Sequence, residues 1–314
     1  MWQSTDKSIW TGRDDSSEGA LALRLFQTII VANEFAPVQY ANHTALLGFM
    51  CDEGVRLNKG RVGAQEAPNV IRKAMANLAA HNSHNKLVDL GNVLYQDTLI
   101  ASQQALAECV TQCQQQQLKT VVLGGGHETA FAHGMGIYKV FPNKKIGIIN
   151  FDAHLDIRLS KEGSSGTPFK QLADYCQEAN RPFNYLCIGA SLAANTGSLL
   201  NTADELGVQI IWDTECNNQN LANILARVKQ FIESVDIVYL TVDLDVLPLS
   251  YMYAVSAPAA YGVGLDFLIA VADFIKNSGK LQAADFVEFN PALDNQGLCA
   301  KVAARFVWQI LLNW

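Results

Sequence analysis

Apolar residues recur along this chain with two different spacings. Short, nearly continuous apolar runs rich in β-branched residues, such as KTVVL at 119–123 and KIGIINF at 145–151, alternate with longer segments that are apolar at every third or fourth position. Continuous apolar runs are typical of strands buried on both faces of a parallel sheet, and a spacing near 3.6 residues is typical of amphipathic helices. The pattern therefore predicts alternating strands and helices.

Eight strands and six helices follow from this pattern. The strands are predicted at residues 45–49, 86–90, 120–123, 146–151, 185–189, 209–212, 236–242 and 282–288. The helices are predicted at residues 68–80, 96–117, 128–140, 220–234, 265–277 and 296–312. Such alternation predicts a three-layer α/β/α fold, in which helices cover both faces of a central, mostly parallel sheet of about eight strands. We expect residues 1–314 to form one domain, with residues 1–44 as an N-terminal extension packed on it.

Composition and charge narrow the classes of function. The chain has 314 residues, of which 49% are hydrophobic and 17% charged, so it can bury a large core. Its net charge is −7 without a long basic run, which disfavours nucleic acid and anionic membranes as partners. No stretch of 18 apolar residues predicts a membrane span. Seven scattered cysteines without a CxxC pair, and a start that lacks a basic region followed by an apolar one, predict a cytoplasmic protein.

Candidate chemistry follows four of the predicted strands. In open α/β sheets, ligands bind beyond the carboxyl ends of the strands. GGGHE occupies residues 124–128, DAHLD occupies 152–156, DLD occupies 243–245, and Glu288 ends the last predicted strand. Because these strands end at one edge of the predicted sheet, we expect their polar side chains to converge there.

The spacing within these motifs indicates a metal site. Residues two apart in an extended segment point to the same side. The candidate ligands are two imidazoles and four carboxylates, namely His127, Asp152, His154, Asp156, Asp243 and Asp245. Four carboxylates in one cleft repel each other unless cations neutralise them. A mixed oxygen and nitrogen set suits two divalent ions of the Mn²⁺ type, which carboxylates can bridge.

In this combination and order, the motifs resemble those of the ureohydrolase family, which includes arginases and agmatinases. That family carries GG-x-H, then DAH-x-D, then S-x-D-x-D, and the resemblance extends over nearly the whole chain from about residue 45. Thr241 stands where the family often has serine. The resemblance implies an α/β/α fold, a site with two Mn²⁺ ions per chain and hydrolysis of a carbon–nitrogen bond.

Within that family, the motif variants are similar to those of the formimidoylglutamase branch. Arginases and agmatinases usually read GGDHS, whereas this chain reads GGGHE, and CDEGV at 51–55, NKGR at 58–61, SSGTPF at 164–169 and VSAPAAYGV at 255–263 follow the same branch. Arginases also carry a histidine shortly after DAH-x-D, but none follows His154 here. The resemblance implies hydrolysis of N-formimidoyl-L-glutamate to L-glutamate and formamide in histidine degradation.

The resemblance also implies roles for individual residues. One Mn²⁺ ion would be held by His127, Asp152, Asp156 and Asp243, and the other by Asp152, His154, Asp243 and Asp245. Asp156 would also shuttle a proton to the leaving amine, and Glu288 would orient the amidine-like group of the substrate.

Substrate recognition is expected from cations near the metal ligands. Arg158 lies two residues beyond Asp156 and could clamp a substrate carboxylate, although a surface salt bridge is the alternative. Ser165 and Arg61 are further candidates. We expect a small-molecule substrate and a homo-oligomer. Two other functions stay open, namely an agmatinase or guanidino-acid ureohydrolase that releases urea, and a catalytically silent homologue that binds metal.

Overall fold

The computed structural model describes residues 1–81 and 86–314, and it confirms the three-layer α/β/α architecture. Within the described residues, ten strands form one sheet. They are β1 (Trp2–Gln3), β2 (Ile30–Val31), β3 (Thr44–Met50), β4 (Leu87–Leu94), β5 (Lys119–Leu123), β6 (Ile146–Phe151), β7 (Asn184–Ala190), β8 (Gln209–Trp212), β9 (Ile237–Asp243) and β10 (Leu281–Val287).

Ten α-helices connect and cover these strands in the described part of the chain. They are α1 (Leu25–Thr28), α2 (Glu53–Leu57), α3 (Ala67–Met75), α4 (Leu99–Gln115), α5 (Glu128–Val140), α6 (Pro168–Glu178), α7 (Gly197–Glu205), α8 (Leu221–Glu233), α9 (Leu265–Asn277) and α10 (Leu298–Leu311). Among the described residues, none of these helices is both long and apolar enough to cross a membrane.

The order of the strands brings four chain segments to one edge of the sheet. The order is β1-β4-β3-β5-β10-β9-β6-β7-β8, and β2 also pairs with β4. The four central strands β5, β10, β9 and β6 are mutually parallel. Their last residues lie in register, since Phe286 pairs with both Leu123 and Val242, and Val242 pairs with Phe151. The segments that follow these strands therefore leave the sheet side by side.

Two apolar cores hold the sheet between its helices. One core contains side chains of α3, α8, α9 and α10, and the other contains side chains of α4, α5, α6 and α7. Of the central strands, β6 and β9 are buried along their entire length, as their continuous apolar runs predicted, and β5 and β10 are buried except for one partly buried residue each. Burial on both faces fixes the strand ends, and with them the site.

The N-terminal segment supplies the two strands that the pattern did not predict. Residues 2–3 pair antiparallel with β4, and residues 30–31 pair parallel with it. Trp10 Nε1 donates to Asp89 Oδ2 at 2.8 Å, and the guanidinium of Arg72 donates to Asp89 Oδ1 at 2.9 Å. Asp89 and Arg72 are fully buried. This polar cluster joins the segment to β4 and α3.

Several helix predictions need correction. The predicted helix 68–80 ends at Met75, because the carbonyls of Ala76 and Leu78 instead accept hydrogen bonds from Phe26 and Leu25 in the N-terminal segment. The helices α1, α2, α6 and α7 were not predicted. His81, in an exposed loop after the helix, makes a T-shaped ring contact with Trp308.

Candidate active site

The predicted metal ligands converge at the carboxyl edge of the four central strands. His127 follows β5 and immediately precedes α5, and Glu288 follows β10. Of the remaining ligands, Asp152, His154 and Asp156 follow β6. Asp243 ends β9, and Asp245 lies in the short 3-10 turn after it. Each of these side chains is buried or partly buried. The structure therefore brings together every residue that the sequence assigned to the metal site.

One group of ligands surrounds the ring of His127. Its Nδ1 lies 2.9 Å from Asp156 Oδ2, 3.2 Å from Asp152 Oδ2 and 3.2 Å from Asp243 Oδ2. One ligand atom from each of these four residues lies within 4.8 Å of the others. This group matches the first predicted ligand set in full.

A second group shares Asp152 with the first. His154 Nδ1 lies 3.1 Å from Asp245 Oδ2 and 3.5 Å from Asp152 Oδ1. Ligand atoms of these three residues also lie within 4.8 Å of one another. The two oxygens of Asp152 thus face different groups, as a bridging carboxylate would. Asp243 lies in the first group, and its predicted bridging to the second stays a prediction.

Contacts around His127 fix which ring nitrogen faces the carboxylates. Its Nε2 lies 3.0 Å from Thr241 Oγ1, its backbone N–H donates to Glu288 Oε1 at 2.8 Å, and its ring packs against the edge of Phe169. Nδ1 is buried and has no hydrogen-bond partner in the described residues. In His127, a hydroxyl contacts Nε2, and Nδ1 points at carboxylates. This is the usual arrangement of a histidine that binds a metal through Nδ1.

The pKa values of the clustered carboxylates favour bound cations. Burial raises the pKa of Asp243 well above its ordinary value, and repulsion from Asp245 and Asp152 raises it further. Burial likewise raises the pKa of Asp156. For Asp152 the effect of burial is outweighed by His127 and His154, which lower its pKa. The carboxylates therefore compete for two imidazoles, and bound cations would relieve that competition.

The donor set fits hard divalent ions. It combines imidazole nitrogens with carboxylate oxygens and contains no thiolate, which suits Mn²⁺ and disfavours soft metals. Neighbouring donor atoms lie 2.9–3.2 Å apart, so one divalent ion could contact several of them at once. The residues present thus fit the two ions that the sequence predicted.

Two acidic residues of the site adopt backbone conformations that non-glycine residues rarely use. Asp156 has a φ of 47° and Glu288 has a φ of 69°. Such a left-handed conformation costs roughly 1–3 kcal/mol and persists where surrounding contacts impose it. Asp156 and Glu288 are also the two residues predicted to act on the substrate. The strain orients their carboxyl groups at the edge of the sheet.

Glu288 is buried next to other acidic groups. Burial, followed by the charge of Glu128, raises the pKa of Glu288 to about 8. Burial also raises the pKa of Glu128 to about 7. The sequence predicts that Glu288 orients the substrate, but it predicts no role for Glu128, which directly follows His127.

A cavity of about 260 Å³ adjoins the metal ligands. Its lining combines ligands, other polar residues and two cations, namely Asn58, Lys59, Gly60, His154, Asp156, Arg158, Ser165, Asp243, Asp245, Ser256, Ala257 and Glu288. The predicted substrate contacts Arg158 and Ser165 belong to this lining. Ser165 is buried, and its hydroxyl accepts a hydrogen bond from Asn58 Nδ2 at 3.2 Å.

Arg61, the third predicted substrate contact, is not among the residues that line this cavity. Its guanidinium donates to the backbone carbonyls of Ser256 at 3.0 Å and Val255 at 2.5 Å. It therefore holds the loop that contributes Ser256 and Ala257 to the cavity. A direct contact between Arg61 and the substrate stays a prediction.

The sequence motifs did not predict that Asn58, Lys59 and Ser256 line the cavity. All three lie on turns or loops far along the chain from the ligand motifs, so no spacing rule connects them to the site. One available signal was the NKGR motif itself, in which Lys59 precedes Arg61. Lys59 has a φ of 63°, a conformation that few lysines adopt and that marks a fixed turn.

Comparisons with known proteins agree with this geometry. Residues 42–313 match the model of the arginase family. The chain is 51% identical to a formimidoylglutamase of Photorhabdus laumondii and 52% identical to one of Citrobacter koseri, in each case over 100% of this chain and 99% of the relative.

Solved structures support the same fold. A formiminoglutamase of Trypanosoma cruzi, crystallised with Mn²⁺, superposes with a TM-score of 0.81 at 22% identity and covers 93% of this chain and 98% of its own. A formimidoylglutamase of Bacillus subtilis superposes with a TM-score of 0.82 at 20% identity and covers 96% of this chain and 94% of its own. With the family model matching most of its length and relatives half identical to it throughout, this chain belongs to the arginase family.

Proposed function

We propose that the chain is a manganese-dependent hydrolase that converts N-formimidoyl-L-glutamate and water to L-glutamate and formamide. The observation that carries this proposal is a single cavity lined both by the acidic metal-ligand group and by the cations Arg158 and Lys59. A substrate with an amidine group and two carboxylates matches that combination of charges. The names of relatives that are about half identical over the whole chain support the same substrate.

Two Mn²⁺ ions are proposed to occupy the two ligand groups. One ion would be held by His127, Asp152, Asp156 and Asp243, and the other by Asp152, His154 and Asp245, with Asp243 as the predicted additional bridge. When bound, such ions supply Lewis acidity that lowers the pKa of water toward neutrality. The left-handed backbone of Asp156 and the Thr241 contact of His127 keep the ligands in place before any ion arrives.

The acidic side chains are proposed to handle the reacting end of the substrate. Glu288 accepts hydrogen bonds from the N–H groups of the amidine, since its carboxyl lines the cavity beside Asp245. Water adds to the formimidoyl carbon, and the bond from that carbon to the glutamate nitrogen then breaks. Asp156 carries a proton to the departing nitrogen, which leaves as the amine of glutamate while the formimidoyl carbon leaves as formamide.

The two cations are proposed to bind the other end of the substrate. Arg158 and Lys59 line the same cavity, and each can hold one carboxylate of the glutamate moiety. Agmatine has no carboxylate and arginine has one, so both leave at least one cation without a partner. Charge complementarity therefore favours the dicarboxylate.

A substrate panel tests the proposal directly. The Mn²⁺-loaded protein is incubated with formimidoylglutamate, arginine, agmatine and a guanidino acid, and formamide and urea are measured separately. We expect formamide from formimidoylglutamate and little or no urea. Faster release of urea from any of the others would contradict the substrate assignment. Bound Mn²⁺ without turnover of any of them would indicate a silent homologue.

The Arg158→Ala variant tests the recognition of the carboxylates. A charge-assisted contact contributes roughly 1.5–3 kcal/mol, so KM for formimidoylglutamate should rise about tenfold or more while kcat changes little. Arg227→Ala, a surface arginine on α8, serves as the matched control and should leave KM unchanged. If Arg158→Ala leaves KM unchanged too, the carboxylates are bound elsewhere.

A cytoplasmic setting is proposed from the chemistry of the cysteines. All seven cysteines are free thiols in the structure. Burial raises the pKa of Cys109 and Cys216 to about 12 and raises the pKa of Cys51, Cys113 and Cys187 well above its ordinary value. Such thiols are compatible with the reducing cytoplasm. A homo-oligomer remains our expectation, to be measured by sedimentation of the purified protein.

A further inference from the structure

Glu128 is a fully buried acid that neither the predicted metal site nor the proposed reaction uses. It is the first residue of α5 and directly follows His127. Its Oε1 accepts hydrogen bonds from the backbone N–H of Gly54 at 2.8 Å and from the thiol of Cys51 at 3.7 Å. Its Oε2 has no hydrogen-bond partner in the described residues. The side chain thus joins the turn that carries His127 to the segment that forms α2.

Two glycines make room for this carboxyl group. A Cβ atom at Gly54 would lie 2.5 Å from Glu128 Oε2, and one at Gly126 would lie 2.1 Å from the same oxygen. Gly126 also donates its backbone N–H to the carbonyl of Cys51. The GGGHE and CDEGV motifs therefore pack against each other. Cys51, Gly54 and Gly126 surround the side chain of Glu128.

The α2 segment continues directly into the cavity. Gly54 lies in the first turn of α2, and the residues that follow α2 are Asn58, Lys59 and Gly60, which line the cavity beside Glu288. Asp52, at the start of α2, does not cap this helix with its side chain but accepts hydrogen bonds from Gly63 and Gln65 instead. Glu128 consequently supplies the acceptor for the first turn of α2 from a distant part of the chain.

We propose that Glu128 is a positioning residue for substrate binding. Its buried carboxyl group fixes α2, and through α2 the cavity residues 58–60, against the turn that carries His127. It would thus act on the binding of the substrate without being a metal ligand. The effect on KM rests on the proposed hydrolysis of formimidoylglutamate, whereas the effect on the α2 segment does not.

Glu128→Ala tests this role in the Mn²⁺-loaded protein. Without the carboxyl group, the N–H of Gly54 is left buried and unpaired, so α2 is no longer fixed and KM for formimidoylglutamate should rise about tenfold. We expect kcat to change less than about threefold and the bound Mn²⁺ per chain to stay the same. Glu128→Gln keeps an oxygen acceptor in the same place and should restore most of the wild-type KM.

Hydrogen–deuterium exchange gives a readout that does not depend on turnover. In Glu128→Ala, amides of residues 51–60 should exchange about tenfold faster, whereas those of β6 should not change. Glu108→Ala, an exposed glutamate on α4, is the control and should alter neither. If the wild type does not hydrolyse formimidoylglutamate, the proposed function fails, and the exchange result still decides whether Glu128 fixes α2.

A second variant tests the same contact from the α2 side. Gly54 lies in a helical turn, so Gly54→Ala fits the backbone but pushes against Glu128 Oε2. Gly54→Ala should raise KM. In the double variant with Glu128→Ala, KM should rise by less than the product of the two single effects, because the contact with the carboxyl group is gone and only the Cβ of residue 128 stays close to the added carbon, at 2.7 Å. Gly197→Ala, with no atoms within 4 Å of the added carbon, is the control.

Two results would overturn the proposal. One is a loss of bound Mn²⁺ in Glu128→Ala with an unchanged KM, because Glu128 would then support His127 and not the cavity. The other is an unchanged exchange rate over residues 51–60 together with an unchanged KM, because the contact would then have no positioning effect.

Discussion

His127 and His133 both lie fully buried at α5, and both contact aspartates, yet their surroundings differ in kind. His127 Nδ1 faces oxygens of three different aspartates and has no hydrogen-bond partner among residues 1–81 and 86–314. His133 Nδ1 contacts one carboxylate, that of Asp285, at 2.8 Å, and its Nε2 contacts Thr120 Oγ1 at 2.8 Å. The first histidine lies among excess acceptors, and the second has a partner for each ring nitrogen.

The cluster around His133 is completed by other donors. Tyr239 donates its hydroxyl hydrogen to Asp285 Oδ2, and Gln114 Nε2 donates to Thr120 Oγ1 at 2.9 Å. This cluster joins α4 and α5 to the strands β5, β9 and β10 inside the molecule. A buried histidine therefore indicates a metal site only when the carboxylates around it outnumber the available donors. Proximity of histidine and aspartate alone does not separate the two cases.

The largest expected effect comes from removing metal. Treatment with a chelator should reduce activity to background and lower the melting temperature, because ions that bind only the folded state stabilise it. Mn²⁺ should restore activity better than Zn²⁺ or Mg²⁺. The measurement is turnover and thermal unfolding before and after dialysis. Full activity in a protein shown to be free of metal would break the distinction between the two histidine clusters.

Matched aspartate variants should separate the clusters next. Asp152→Asn removes a charge that faces both ligand groups, so we expect loss of bound Mn²⁺ and a rate at least about a thousandfold lower, roughly 4 kcal/mol. Asp285→Asn should instead lower the melting temperature while turnover changes less than about threefold. An equal loss of turnover in both variants would refute the proposed difference between the two histidine clusters.

The threonines that hold the two rings offer a finer test. Thr241→Val removes the partner of His127 Nε2, and loss of such an outer contact typically weakens metal binding about 10- to 100-fold. Thr120→Val, the matched change at His133, should leave Mn²⁺ affinity unaltered. Both affinities can be measured by titration of the metal-free protein. An unchanged affinity in Thr241→Val would mean that Phe169 and the backbone suffice to orient the ring.

The smallest effect on activity is expected at His133 itself. His133→Gln should reduce the free energy of unfolding by about 1–3 kcal/mol, because buried groups lose partners. Turnover per folded molecule should stay within about twofold of the wild type. Chemical denaturation and activity at saturating Mn²⁺ provide the two measurements. A large loss of turnover in a fully folded His133→Gln protein would show that the cluster contributes to the reaction.

The sequence predicted the parts of this molecule that depend on local pattern. All eight long strands occur, and only the end of β4 is displaced by several residues, at Leu94. The ligand motifs could be assigned because each follows a buried strand, and parallel strands share an edge. These features can be predicted from the spacing of apolar residues and the direction of the strands alone.

What escaped prediction depends on contacts between distant segments. The helix α7 begins at Gly197 and is short, so its sequence favours a helix only weakly. The strands β1 and β2 are too short to show a period and exist because β4 offers them pairing partners. Lys59 lies in the cavity because α2, which precedes it, is held by the hydrogen bond from Gly54 to Glu128. These two residues are far apart in the chain, so their spacing does not predict the contact.

The N-terminal segment also covers one of the two edges of the sheet. The outer edge of β4 is occupied along its length, by residues 30–31 at one end and by residues 2–3 at the other. Between them, the carbonyl of Leu90 accepts a hydrogen bond from Trp2 Nε1 at 2.6 Å, and the carbonyl of Asp89 accepts one from Ala32. A chain without this segment would present an unpaired, apolar strand edge, which is a template for pairing with other chains. By pairing with β4, the segment removes this edge as a template for other chains, quite apart from the chemistry at the carboxyl ends of the central strands.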